Sequence, residues 1–326
     1  MNVVIGVDLG GTKTILQAVD SSAATDKPPL AQAQYPSAEY DSFEKLLQAF
    51  LQQHQLPHIA AICIGVAGPV KRDVASVTNL PWRLSALSLA QQFAIAQVEL
   101  LNDFQVIGYA LDALPSSDLQ CLQRGSHDEH GVRALIGAGT GLGHAILTRC
   151  QGQIEVLASE AGHIDFAPRN LQQDKLLQFM RSRYESVSYE RLVSGPGLEH
   201  IYWFLSGGDG DAPPLDAAAI SHAAMESAAQ KTNNNAWSAL QLFLNIYGAA
   251  AGNFALACLP RGGLFVAGGI AARILPLFQG STFMQAFQQK SKMQELMQGF
   301  PVYVLSNPNV GLMGAVNRAK QLTTGH

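Results

Sequence analysis

Two glycine turns, one near residue 10 and one near residue 140, each lie between apolar runs that read as β-strands. The first is Val7-Asp8-Leu9-Gly10-Gly11-Thr12, between the runs 3–7 and 15–19. The second is Gly137-Ala138-Gly139-Thr140-Gly141-Leu142-Gly143, between 132–136 and 145–147. Glycine lets the backbone turn tightly and face its N–H groups outward, and successive N–H groups form a concavity for anions. Thr12 and Thr140 add a hydroxyl to each turn. Two such turns facing each other would clamp a polyphosphate from both sides. The expectation is a nucleotide held between two related lobes.

Taken singly, either turn also fits an ordinary glycine-rich hairpin. Neither matches G-x-x-x-x-G-K-[ST]. The second does not meet the dinucleotide spacing G-x-G-x-x-G, and no helix follows it directly. The pairing of the turns, and Asp8 inside the first, favour phosphate binding. An aspartate beside phosphates makes chemical sense when a cation lies between them, and Mg²⁺ with its waters is the usual one.

The chain of 326 residues has room for two lobes and a substantial core. A net charge of −4 suggests neither a nucleic-acid nor an anionic-membrane partner. Charged residues make up 14%, against roughly 25% in ordinary soluble chains, as in a compact enzyme with surface buried in an oligomer. Cys63, Cys121, Cys150 and Cys258 show no C-x-x-C spacing, and two of them fall in apolar runs. They read as reduced core residues of a cytoplasmic protein. The first apolar run is only strand-length, so no secretory leader is expected. The long apolar segment 236–259 contains Gln241, Asn245 and Asn253. It reads as a buried helix rather than a membrane span.

Strands alternate with helices through the first hundred residues, which indicates an α/β layer architecture. Asp41 and Glu44 form a capping-box pair at the apolar stripe Phe43, Leu46, Leu47, Phe50 and Leu51. A buried strand at 59–67, a turn at Gly68-Pro69, a further strand pair and a helix lead to a strand at 98–101. From about Gly131 the hairpin motif restarts, which predicts a duplicated lobe design. Helices follow at 172–184, 196–205, 216–228 and 232–258, then a strand at 264–267. Gly268-Gly269 opens another helix, and an amphipathic helix from about Asn309 packs back onto the first lobe. The polar, glycine-rich stretch 206–214 reads as a surface connection.

Asn102-Asp103 follows a strand and starts a helix, and ligands in open α/β sheets bind beyond the carboxyl ends of strands. One of the pair could be only an N-cap; alternatively Asp103 is a general base and Asn102 bonds a substrate. Glu160 and His163 lie three apart, in Glu160-Ala161-Gly162-His163. They suit vicinal sugar hydroxyls, a packed histidine or, less well without a second E-x-x-H, a metal pair. Glu190 could equally cap a helix with Ser188.

The chain resembles bacterial glucokinases of the non-zinc, hexokinase-like group, within the sugar kinase, heat-shock protein and actin superfamily. The resemblance rests on Asp8-Leu9-Gly10-Gly11-Thr12, Leu101-Asn102-Asp103-Phe104, the second glycine turn and Glu160-Ala161-Gly162-His163-Ile164-Asp165-Phe166-Ala167-Pro168. It extends to Glu190-Arg191-Leu192-Val193-Ser194-Gly195-Pro196-Gly197-Leu198 and Val266-Ala267-Gly268-Gly269-Ile270. These stretches run in the family order over nearly the whole chain. Two features depart from the pattern. Lys13 stands where a small polar residue is commoner, and Ala161 replaces the usual glycine.

The resemblance implies an α/β fold of the two-lobed, actin-like (ribonuclease H-like) type with the active site between the lobes. Residues 1–107 with about 306–326 would form the small lobe, and 108–305 the large one. It implies ATP-dependent phosphorylation of glucose at the 6-hydroxyl, with Asp103 as the base. Asn79, Asn102, Asp103, Glu160, His163 and Glu190 would hold the sugar. Val7, Asp8, Leu9, Gly10, Gly11 and Thr12 would line the ATP phosphates. Gly137, Gly139 and Thr140 would approach them from the other lobe, and Gly268 and Gly269 would sit near the adenosine. Mg²⁺ would be held mainly by phosphates and water, close to Asp8, and the family expectation is a homodimer. Segments 37–40 and 78–82 would line a mouth that closes before transfer. A kinase for another hexose or amino sugar, and a sugar-binding regulator without turnover, are the alternative readings.

Overall fold

A computed structural model describes residues 2–24, 27–150, 152–208, 210–211, 213–280 and 282–324. The chain divides into two compact units, one of Met1–Pro115 with Pro308–His326 and the other of Ser116–Asn307.

The first unit begins with strands β1 (Val3–Leu9), β2 (Lys13–Asp20) and β3 (Ala31–Pro36), then helix α1 (Phe43–His54) and strand β4 (Ile59–Val66). Three short strands follow, β5 (Val70–Lys71), β6 (Val74–Ser76) and β7 (Arg83–Ser85), forming a small sheet of their own. Helix α2 (Ala86–Phe93), strand β8 (Gln97–Asn102) and the short helix α3 (Asp103–Ile107) complete the run. The main sheet has the order β3-β2-β1-β4-β8. β1 pairs antiparallel with β2 and parallel with β4, and β4 is parallel to β8. The register sets Leu9 opposite Val66 and Val66 opposite Asn102. Three parallel strands therefore end at one edge, where open α/β sheets bind ligands.

β4 is buried along nearly its whole length, as expected of a central strand covered on both faces. α1 puts Phe43, Leu46, Leu47 and Phe50 into the core beneath the sheet. Its cap differs from the expectation. Ser42 is the N-cap and accepts from the Lys45 N–H, while Asp41 pairs with the Lys45 ammonium. The strand pair expected after Gly68 is a three-stranded sheet.

The second unit holds β9 (Leu119–Gln123), β10 (Arg133–Ala138), β11 (Leu142–Cys150) and β12 (Gln153–Ser159). Helices α4 (Leu171–Arg181), α5 (Gly195–Leu205), α6 (Ala217–Gln230) and α7 (Asn235–Cys258) precede β13 (Gly263–Ala267). Then come α8 (Gly269–Arg273), α9 (Thr282–Gln288), α10 (Gln294–Gly299) and β14 (Val302–Leu305). The sheet order is β12-β11-β10-β13-β14-β9. Its first five strands repeat the order and chain sequence of the other unit, which is the duplicated design the restarting hairpin implies. Together the two sheets give the two-lobed α/β class expected from the motifs.

α7 is the central helix of the second core. Phe243, Leu244, Ile246 and Tyr247 are fully enclosed, and 78% of its most apolar window is buried. This burial accounts for its hydropathy as a core helix. The final helix, α11 (Val310–Thr324), belongs to the first unit and packs on β1 and β4. Arg318 holds it with a two-pronged bond to Glu99, at 2.5 and 3.0 Å. All four cysteines are free thiols, but only Cys63 is in the core. Cys121 and Cys150 are exposed, Cys150 at the last position of β11. Within 206–214, residues 209 and 212 lie outside the described residues.

Candidate active site

The first glycine turn joins β1 to β2 at the carboxyl edge of its sheet. Val7 and Leu9 are fully buried core side chains, so they can offer a ligand only backbone atoms. Gly10 N–H closes the turn onto the Lys13 carbonyl at 3.0 Å. Thr12 and Lys13 project into solvent. Asp8 is half-buried, and desolvation raises its carboxyl above the usual range, with Lys13 the one nearby charge opposing the shift. Segment 37–40 does not simply face outward: Ser37 is fully enclosed and bonded to this turn.

Asn102 and Asp103 sit at the end of β8. Asn102 is the N-cap of α3, its Oδ1 accepting from Phe104 N–H at 2.9 Å and its Nδ2 donating to the Gly68 carbonyl at 3.2 Å. The amide also donates toward the Asp103 carboxylate, so one oxygen lone pair remains for a ligand. Asp103 is reached by solvent yet crowded by protein. Desolvation pushes its carboxyl up to about 6, the neighbouring Asp8 charge adds to the shift, and backbone N–H bonds oppose it. Asn79 is exposed in the 78–82 loop with φ +64, a left-handed conformation asparagine tolerates. That loop passes close behind Gly11.

In the second unit Glu160, His163 and Glu190 converge. A 3-10 turn at Ala161–His163 brings His163 Nε2 to 3.8 Å from Glu160 Oε2, and His163 Nδ1 to 3.9 Å from Glu190 Oε1. Glu190 caps no helix; α5 starts later, with Ser194 as its N-cap. Instead Glu190 Oε2 accepts the Leu142 N–H at 3.0 Å, and Glu190 N–H donates to the Gly162 carbonyl at 2.9 Å. Two glycines make this possible. A Cβ at Gly141 would stand 2.6 Å from Glu190 Oε2, and one at Gly162 would stand 2.2 Å from the Leu142 carbonyl. Glu160 and His163 are exposed, and Glu190 keeps its Oε1 toward them.

The second glycine turn joins β10 to β11. Gly139 N–H bonds the Gly141 carbonyl at 2.8 Å, and Gly195 N–H bonds the Gly139 carbonyl at 2.8 Å, tying the turn to the start of α5. Thr140 is exposed. Gly268 caps α8 at the end of β13, beside Ala138, and Gly269 is exposed there. Beneath, the Tyr247 hydroxyl accepts Ala138 N–H at 3.2 Å and faces the Ile136 carbonyl at 3.4 Å.

Two supporting side chains were not singled out from sequence, Thr14 and Tyr247, and Ser37 was assigned a different place, in the closing mouth. Thr14 lies in an apolar strand and Tyr247 in an apolar helix, and a hydroxyl inside such a run was the available signal.

Among the described residues, no three His, Cys, Asp or Glu side chains are grouped to hold a metal by themselves. Asp8 nevertheless fits Mg²⁺. It is a desolvated carboxylate next to a second acid, and Mg²⁺ is usually held by one or two carboxylates plus waters and phosphate oxygens.

A family model described as Glucokinase matches residues 5–322. The chain is 42% identical to a glucokinase of Synechocystis sp., over 96% of this chain and 97% of that one. It is 38% identical to a glucokinase of Trichormus variabilis, over 99% of this chain and all of that one. Among solved structures it is similar to a glucokinase from an Antarctic psychrotroph, with TM-score 0.85, 32% identity and coverage of 98% and 99%.

Proposed function

From the premise that the chain belongs to the glucokinase family, and so is an ATP-dependent kinase that phosphorylates glucose, we propose which residues do the work. The observation that carries the reading is the convergence of Glu160, His163 and Glu190, three side chains from two separate stretches of sequence. Carboxylates accept from sugar hydroxyls, and an imidazole can donate or accept. With Oε2 of Glu190 occupied by Leu142 N–H, Oε1 is left to accept a ring hydroxyl. Asn79 and the free lone pair of the Asn102 side-chain oxygen add further hydrogen bonds to the sugar.

Asp103 takes the proton of the 6-hydroxyl as that oxygen attacks the terminal phosphorus of ATP, and the bond from that phosphorus to its bridging oxygen breaks, releasing ADP. A carboxyl raised to about 6 stays mostly ionised at neutral pH, yet is a better proton acceptor than an ordinary aspartate. Base assistance contributes ~10²–10⁴-fold in rate. Alignment of the two substrates contributes up to roughly 7–11 kcal/mol and is the larger effect. The first turn, residues 7–12, and the second, with Gly137, Gly139 and Thr140, supply N–H and hydroxyl donors to the phosphates. Gly268 and Gly269 leave space for the adenosine. When bound beside Asp8, Mg²⁺ supplies charge neutralisation for the phosphates.

Four free thiols support a cytoplasmic location, and a homodimer is the assembly we expect from the family. The test of function is ADP release with ATP and Mg²⁺ over glucose, mannose, fructose and N-acetylglucosamine. Turnover with glucose well above the rest is expected. A different preferred sugar would replace the substrate assignment, and sugar binding without ADP release would overturn the catalytic roles.

A further inference from the structure

Directly behind the first glycine turn lies a chain of buried hydroxyls with no place in the chemistry above. Thr14 and Ser37 are both fully enclosed. Ser37 Oγ donates to the Gly10 carbonyl at 2.7 Å, and the Thr14 hydroxyl lies 2.9 Å from Ser37 Oγ. Since the single Ser37 proton goes to Gly10, Thr14 is the donor to Ser37, and each bond polarises the next. Ser37 N–H also holds the Thr12 carbonyl at 3.0 Å. The register produces this arrangement: β3 pairs with β2 so that Pro36 faces Lys13, and the next residue falls beside the turn.

In a planar trans peptide the C=O and the following N–H point in opposite directions. Pinning the Gly10 carbonyl inward therefore turns the Gly11 N–H outward. We propose that Ser37, backed by Thr14, is a positioning residue for the phosphoryl donor, fixing the Gly10–Gly11 peptide so that the Gly11 N–H is presented to a phosphate oxygen. This rests on the reading of the turn as a phosphate site. A turn of this type has no side chain to orient its own donors, so the orientation comes from behind. Preorganised donors are worth more than donors that must be ordered during the reaction.

The test compares Ser37→Ala, Thr14→Val and Thr14→Ser with wild type, reading KM for ATP, kcat, glucose affinity by calorimetry and melting temperature. Thr14→Val keeps the shape of the side chain, so it reports the hydroxyl even where Ser37→Ala folds poorly. Loss of kcat/KM for ATP by roughly tenfold or more in Ser37→Ala is expected, from one lost buried hydrogen bond that orients a ligand donor. Thr14→Val should show a smaller loss and Thr14→Ser wild-type kinetics, with glucose affinity within twofold throughout. Unchanged ATP kinetics, or glucose affinity falling in step with ATP, would overturn the positioning role. Hydrogen exchange of residues 9–13 in wild type with a non-hydrolysable ATP analogue separates the two levels. Protection there with unaffected Ser37→Ala kinetics removes only the role of Ser37. No protection removes the phosphate reading itself, and the positioning role with it.

Discussion

The two units place the same five-strand order at their cores, yet arm their glycine turns differently. The turn between β1 and β2 carries Asp8 and Lys13, lies in the same unit as Asp103, and is braced from behind by side-chain hydroxyls. The turn between β10 and β11 contains no ionisable residue and is braced by backbone, Gly195 to Gly139, with Tyr247 below. The hairpin topology closes both turns with a backbone bond, Gly10 N–H to the Lys13 carbonyl and Gly139 N–H to the Gly141 carbonyl. On the proposed roles, side chains then assign acid–base chemistry to one unit and neutral donation to the other. Fold alone does not fix this division.

The sharpest way to break the comparison is charge removal in the first unit. Asp103→Asn should lower kcat by ~10²–10⁴-fold while glucose affinity, read by calorimetry, stays near wild type. Glu190→Gln should act mainly on glucose KM. If Glu190→Gln lowered kcat as severely as Asp103→Asn at saturating glucose, the division of labour would be wrong.

Two glycines sharpen the account of the second unit. Gly162→Ala drives a methyl into the Leu142 carbonyl and should cost ~1–3 kcal/mol of stability by denaturant titration. Gly139 has no atom within 4 Å of a would-be Cβ, so Gly139→Ala should fold normally, and any loss in it should appear as raised KM for ATP. Equal melting of the two variants would contradict this assignment of close contacts.

Tyr247→Phe leaves Ala138 N–H without its buried acceptor and should destabilise by ~1–3 kcal/mol, with little change in glucose KM. The smallest expected effect is on stability against pH. Folded Asp103, with its carboxyl raised to about 6, binds its proton more tightly than the unfolded chain does. Its contribution therefore becomes less favourable as pH rises from about 4 through about 6. Asp103→Asn should accordingly melt higher, relative to wild type, at pH 7.5 than at pH 4.

The turns, the strand ends and the E-x-x-H segment were legible because each is a local pattern whose chemistry and geometry coincide. What brings Glu190 to His163 was not, since Gly141 and Gly162 permit contacts between segments far apart in sequence. The Ser42 cap was hidden by the acidic Asp41 just before it; both can cap, and only the chain's entry angle decides. Cys121 and Cys150 are exposed because their polar neighbours, Gln120 and Arg149 with Gln151, set them outside the apolar runs that hold Cys63 and Cys258. Ser37 was placed in a closing mouth because its burial depends on the β2–β3 register.

The most direct measurement is the pH profile of kcat/KM for glucose, for wild type and Asp103→Asn. The account predicts an acidic limb in wild type with a midpoint near 6, absent from the residual activity of the variant. The same limb persisting in Asp103→Asn, or a wild-type rate flat down to pH 4.5, would show that another group takes the proton.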